Sequence, residues 1–158
     1  MKISQAMIVK DEEKNIERAL SWGKGIVSEQ IVIDTGSTDG TVEIAKSMGA
    51  KVIFFPWKDD FALARNFAIE NCKYPWIVML DADEYFSKED AEKLKACISL
   101  VDKNKQILGI STLCANLNKE GQIGSLGSLV RIFRNRKDIR YYGAIHEHLE
   151  RTDGKDFV

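Results

Sequence analysis

Apolar positions fall into short, near-continuous runs separated by stretches with helical spacing, and this alternation predicts the elements. Ile3 to Val9 reads as a buried strand. Asp11 to Trp22 reads as a helix in which Ile16 and Leu20 share a face behind an acidic first turn. A second β-branched run, Gln30 to Asp34, leads through a turn at Thr35 to Gly40 into a helix ending near Met48, with Gly49 as a left-handed cap. Lys51 to Phe55 is a third strand. Pro56 and Trp57 form a loop, and Asp59 or Asp60 caps a helix whose Phe61, Ala64, Phe67 and Ala68 share a stripe. Trp76 to Leu80 makes a fourth strand.

Strands that are apolar throughout, alternating with amphipathic helices, predict an α/β fold: a mostly parallel sheet covered by helices on both faces. Such sheets bind ligands beyond the carboxyl ends of their strands, where Asp34 and Asp81 fall. After a helix over Ser87 to Leu100 the pattern changes. Ile107 to Leu117, a turn at Asn118 to Gly124, and Leu129 to Phe133 read as paired strands, and Tyr141 to Leu149 as the start of another. With no repeat and no low-complexity linker, residues 1–158 are expected to form one α/β unit with a small antiparallel β appendage. The charged end from Arg151 to Val158 carries no cap or closing turn, so the native chain is expected to continue beyond Val158.

Composition narrows the partners. With 23 basic and 24 acidic residues the net charge is -1, so no overall field draws the chain to nucleic acid or anionic lipid. No apolar run approaches the roughly 20 residues of a membrane helix. Three cysteines, Cys72, Cys97 and Cys114, lack CxxC or zinc-ligand spacing and are expected to be reduced, mostly buried thiols of a cytoplasmic protein.

Two segments carry candidate chemistry. In IVMLDADE, Ile77 to Glu84, two carboxylates separated by a small residue leave a buried strand. A turn there can offer Asp81 and Asp83 to one cation while Ala82 leaves room for a ligand. Mg2+ and Mn2+ favour oxygen ligands and accept further ones from a diphosphate, so few protein carboxylates suffice. The competing reading is an Asp pair that only caps the turn before Ser87. In VIDTGSTDGT, Ile33 to Thr41, Asp34 stands at the strand tip ahead of hydroxyls and glycines. Ser37, Thr38 and Asp39 read as helix caps, whereas Asp34 can accept from a uracil N–H or a ribose hydroxyl.

The only two histidines flank Glu147 in GAIHEHLE, Gly143 to Glu150. On a strand, His146 and His148 would share one face and Glu147 the other; in an irregular loop His146 and Glu147 can point together at the site. An edge-strand surface histidine is the alternative for His146.

MIVKDEEKNIERAL, IVIDTGSTDGTVEIAKSMGAKV, FPWKDDFALARNFAIE and WIVMLDADE, in this order, resemble family-2 glycosyltransferases with the Rossmann-like GT-A fold. The resemblance spans roughly Ile3 to Leu149, and the nearest subgroup is the bacterial one that includes peptide S-glycosyltransferases such as the sublancin enzyme. Asp11 departs from the Asn usual there. The resemblance implies a nucleotide-binding half over about residues 1–100 and the start of an acceptor-side half over about 101–158. It further implies that Asp34 binds the nucleoside, that Asp81 contacts ribose or metal, and that Asp83 ligates a divalent metal, Mn2+ or Mg2+, on the diphosphate. Lys10 is implied near the base, with a solvated lysine as the alternative, Arg65 near the diphosphate and His146 as an extra metal ligand. An Arg on a helix after a Trp-Lys-Asp-Asp loop can neutralise phosphate on physical grounds too, although a surface ion pair with Asp59 or Glu70 competes. Inverting transfer needs a base for the acceptor proton, and Glu147 is the candidate within this chain.

The expected function is transfer of a sugar from a nucleotide-diphosphate donor, a UDP-sugar, to a saccharide, lipid-linked or peptide acceptor with inversion. Two other readings remain. A hydrolase or phosphotransferase with an Asp nucleophile expects Thr or Val where Tyr85 stands. A non-catalytic donor-binding module expects metal-dependent nucleotide binding without turnover.

Overall fold

The computed structural model of the protein describes residues 1–155 and Phe157. Its strands are β1 (Ile3–Val9), β2 (Glu29–Asp34), β3 (Lys51–Phe54), β4 (Trp76–Met79), β5 (Gly109–Leu117), β6 (Ile123–Arg134), β7 (Ile139–Tyr142) and β8 (His148–Arg151). Its helices are α1 (Ile16–Ser21), α2 (Thr41–Ser47), α3 (Phe61–Asn71) and α4 (Lys88–Val101). Six strands form one sheet in the order β3-β2-β1-β4-β6-β5, with β3, β2, β1 and β4 parallel. The α/β expectation holds for the same reason it was legible: β1 and β4 are buried almost throughout, which only a sheet covered on both faces allows.

Helices divide between the faces. On one side Ala6, Ile31, Ile77 and Met79 meet Ala62, Ala68 and Ile69 of α3. On the other, Met7, Val9 and Val32 pack on Ile16, Ala19 and Leu20 of α1 and on Ala45 of α2. That face continues where Trp76 and Val78 meet Ala91, Leu94 and Ile98 of α4. Burying these aliphatic side chains supplies about 1.5–3 kcal/mol for each large one, the main force holding the layers together.

Several sequence expectations change. The first helix starts at Ile16, not Asp11, because Asp11 is left-handed at φ 54° and the next amides bond elsewhere. The amides of Asp11, Glu12 and Glu13 donate to Ser37 Oγ, Thr41 Oγ1 and Asp39 Oδ2, while Thr38 and Gly40 donate back to Asp11 and Glu13. Ser37 and Thr38 therefore join two loops and do not cap α2; Asp39 alone accepts from the Thr41 amide. Asp60 caps α3 by accepting from Leu63 N at 2.9 Å. The buried side of α3 is Ala62, Ala64, Arg65, Ala68 and Ile69, and Phe61 is exposed, edge-on to Trp57 at 4.8 Å. Small residues let this helix sit close to the sheet while Arg65 reaches the rim.

The small antiparallel appendage is present, but it is formed by other strands than expected. Trp76, Ile77 and Val78 pair antiparallel with Arg134, Phe133 and Ile132, so β6 and β5 extend the main sheet, and the separate pair is β7 with β8. Ile132 and Phe133 are buried and continue the core past β4, which decides the pairing. Arg134 Nη2 donates to the carbonyls of Val101, Asp102 and Asn104, satisfying the end of α4, and its guanidinium lies 4.4 Å from the Trp76 ring centroid. All three thiols are free, but only Cys72 is buried; Cys114 is half-buried and Cys97 exposed. Among the described residues no helix is long and apolar enough to cross a membrane.

Candidate functional site

A cavity of about 500 Å³ opens at the carboxyl ends of the parallel strands. Val9 and Lys10 at the end of β1, Thr35 after β2, and Asp81, Ala82 and Asp83 after β4 form its sheet side. Arg65 from α3 and Ile145, His146 and Glu147 from the β7–β8 loop close the opposite side. Residues up to 139 positions apart in the chain thus line one space, from Ile8 to Glu147. Parallel strands all point their carboxyl ends the same way, and the loops that follow them converge.

Arg65 is the hub. Its side chain is 5% exposed; Nη2 donates to Asp81 Oδ1 at 2.7 Å and Nε to Glu147 Oε1 at 2.6 Å. Neither Asp59 nor Glu70 is its partner, so the surface pairing considered from sequence does not occur. Burial works to lower its pKa, but the Asp81 charge and the hydrogen bonds to Asp81 and Glu147 raise it overall; the Tyr141 ring lies 5.4 Å from the guanidinium. A lock between α3 and β7 fixes the helix: Asn66 Nδ2 donates to Tyr141 O and Tyr141 N donates to Asn66 Oδ1, both at 2.9 Å. Burial pushes the Tyr141 hydroxyl up to about 12, so it stays protonated beside this network.

Asp81 is bound on both oxygens. Besides Arg65, it accepts from Arg131 Nη2 at 3.1 Å, and that same nitrogen donates to Glu84 Oε1 at 2.5 Å. Burial alone would raise the Asp81 pKa; the two arginines override it and hold the carboxyl below its usual range. The stability that Asp81 contributes is therefore complete above the ordinary carboxylate range and is lost as pH falls through the depressed native value. Asp81→Asn is expected to flatten the acid limb of stability between about pH 5 and pH 2, read as the urea midpoint against pH. A limb unchanged from the parent would contradict these ion pairs.

Of the two arrangements open for the histidines, the structure has the loop. Gly143 (φ 97°) and His146 (φ 58°) are both left-handed, and a non-glycine residue there is held by its surroundings. Ala144 O accepts from Phe61 N at 3.1 Å, pinning the loop to the start of α3. His146 and Glu147 consequently face the cavity together, while His148 begins β8 and lies 2.6 Å from Glu150.

Asp34 stands at the end of β2. It is 6% exposed and accepts from the amides of Gly36 and Ser37, so its carboxylate shapes the turn, and Thr35 is the β2-end residue that lines the cavity. Lys10 lines the same end and is exposed. Arg131, Glu84, Trp57 and Phe61 are neighbours of the site that the sequence did not single out. For the aromatic pair a signal existed, since both lie in the block FPWKDDFALARN. Arg131 had none, because its reach to Asp81 depends on the β4–β6 register.

No group of three or more His, Cys, Asp or Glu side chains is arranged to hold a metal among the described residues. With Asp81 engaged by two cations, the cavity offers Asp83 and His146 as free donors. Two such donors fit a cation that takes its other ligands from a diphosphate and not one caged by protein alone.

Residues 4–107 match glycosyl transferase family 2. Over 147 residues, 92% of this chain, it is 40% identical to a TPR repeat-containing protein of Synechococcus elongatus and 32% identical to the SPbeta prophage-derived glycosyltransferase SunS of Bacillus subtilis; it covers 34% of each. An uncharacterized glycosyltransferase of Rickettsia bellii is 46% identical over 94 residues, 60% of this chain and 32% of that one. The chain thus spans about a third of the length of these relatives. Among solved structures, S. aureus TarS 1-349 in complex with UDP-GlcNAc superposes with a TM-score of 0.61 at 21% identity, over 79% of this chain and 37% of that one. Glucosyl-3-phosphoglycerate synthase from Mycobacterium tuberculosis, in complex with Mn2+, UDP and glucosyl-3-phosphoglycerate, gives 0.55 at 21% identity, over 68% and 42%. Its fold is the GT-A fold of these structures, and by sequence the chain belongs to glycosyl transferase family 2.

Proposed function

We propose that this chain is the nucleotide-sugar-binding part of an inverting, metal-dependent glycosyltransferase that uses a UDP-sugar. The observation that carries the reading is the convergence of Asp81, Asp83, Arg65, His146 and Glu147 on one cavity at the carboxyl rim of the sheet. Family membership and the UDP and UDP-GlcNAc complexes of structures sharing the fold support it.

Lys10, Thr35 and Asp34 stand at the nucleoside end, where Asp34 keeps acceptor capacity beyond the two amides of its turn. Ala82 leaves space for the sugar phosphate to approach the backbone. Asp83 and His146 would hold a divalent cation, Mn2+ or Mg2+, whose chemistry is to neutralise the departing diphosphate. Arg65 adds a fixed positive charge beneath the same phosphates, preorganised by its two carboxylates. Glu147 takes the acceptor proton as the acceptor attacks the anomeric carbon from the opposite face. Residues 1–100 or so serve as the nucleotide half and those from about 101 as the start of the acceptor side, within one unit that works in the cytoplasm.

Asp83→Ala is expected to abolish the Mn2+-dependent rise in melting temperature on adding UDP while leaving the unliganded melt unchanged, because Asp83 makes no ion pair or hydrogen bond among the described residues. An equal UDP shift in the variant would contradict the metal assignment. A donor-binding module without turnover is the second reading, since the chain spans about a third of its relatives. It predicts the same UDP shift with no release of UDP from UDP-sugars.

A further inference from the structure

Arg131 lies outside the residues that match the family, 4–107, yet it touches the centre of the cavity's charge network. It stands on β6 with its side chain 14% exposed, and one nitrogen, Nη2, bridges Asp81 and Glu84. With Arg65 on the other oxygen, Asp81 is a counter-ion for two guanidinium groups. Asp83, two residues on, lines the cavity with no ion partner among the described residues. Two guanidinium nitrogens, Arg65 Nη1 and Arg131 Nε, are buried without an acceptor, so donor capacity remains although the two arginines already face three carboxylates, Asp81, Glu84 and Glu147.

We propose that Arg131 is a positioning residue that divides labour between the two aspartates of the turn. By holding Asp81 as a counter-ion it leaves Asp83 as the turn's single carboxylate for a cation, and it offsets carboxylate charge that would otherwise repel the diphosphate. This rests on reading the cavity as a metal–diphosphate site. The physical consequence is a sign. Removing the Arg131 charge releases Asp81 Oδ2 and strips Glu84 of its partner, so the site becomes more negative by one unit. A free cation is then held more tightly and a diphosphate less tightly, whereas an arginine that served packing alone would weaken both together.

Calorimetric titration of Mn2+ alone, and of UDP at saturating Mn2+, tests this. Arg131→Met is expected to tighten Mn2+ about tenfold and weaken UDP about tenfold, as one unit charge at a few ångströms in a partly buried site implies. R131K, whose ammonium can bridge both carboxylates as a point charge, is expected to restore both values to within about threefold. E84Q removes a negative charge at the other end of the same bridge and is expected to move the two affinities the opposite way, by about threefold. This arm stands even if R131M does not fold. Parallel weakening of both ligands in R131M without recovery in R131K, or no change in either R131M or E84Q, would overturn the role. D83N separates the two readings. If D83N loses Mn2+ while R131M and E84Q shift both ligands in the same direction, the metal site stands and the role of Arg131 falls. If the parent chain binds neither Mn2+ nor UDP, both fall.

Discussion

Arg65→Met is expected to destabilise the protein by about 3 kcal/mol, because it breaks buried ion pairs from the cationic side and leaves carboxylates without their partner. Methionine keeps much of the volume, so the loss isolates charge from packing. Glu147, 14% exposed at its side chain, loses the guanidinium that holds it, whereas Asp81 retains Arg131. With a urea slope of roughly 2 kcal/mol per molar for a domain of this size, the midpoint falls by about 1.5 M. Arg65→Lys is expected to recover only part of this, since an ammonium lacks the fork by which Nε and Nη2 reach two carboxylates at once. A midpoint in R65M within a few tenths molar of the parent would show that the Arg65 pairs contribute little. Donor binding should fall in parallel, because the same guanidinium underlies the diphosphate end of the cavity.

Glu147→Gln separates chemistry from binding. The amide oxygen still accepts from Arg65 Nε, so the loop and the arginine keep their places, but the side chain no longer takes a proton. UDP release from UDP-glucose or UDP-GlcNAc, with water as the acceptor, is expected to drop about 10²- to 10⁴-fold, the range a positioned general base contributes. The UDP-dependent rise in melting temperature should stay as in the parent. Turnover at the parent rate would remove Glu147 from the role of base. Loss of the melting shift together with turnover would show instead that the residue acts by holding Arg65.

The contrast between the acids after β4, Asp81 and Asp83, and Arg131 shows how far local pattern reaches. Runs such as IVID and WIVML mark buried parallel strands because burial on both faces demands apolar residues throughout, and the acids that follow must then stand at the rim. The α/β class, the β1-to-β4 order of elements, and the placing of Asp81 and Asp83 at strand ends follow from that one-dimensional signal. The start of α1 was misplaced because the amides of Asp11 to Glu13 have a stronger offer from Ser37, Asp39 and Thr41, side chains about 26 residues away. His146 and Glu147 were ambiguous between strand and loop until the β7–β8 turn took left-handed conformations that no local apolar pattern specifies.

Sequence by itself therefore determined where the strands run and which acids cap them, since periodicity and burial are local properties. Tertiary structure alone decided that Arg65 pairs with Asp81 and Glu147, and that Arg131 reaches across from β6. Charged side chains carry no periodic signature; what each one meets is set by strand register and by the low-polarity environment that makes an unpaired charge costly, and both exist only once the sheet has closed around them.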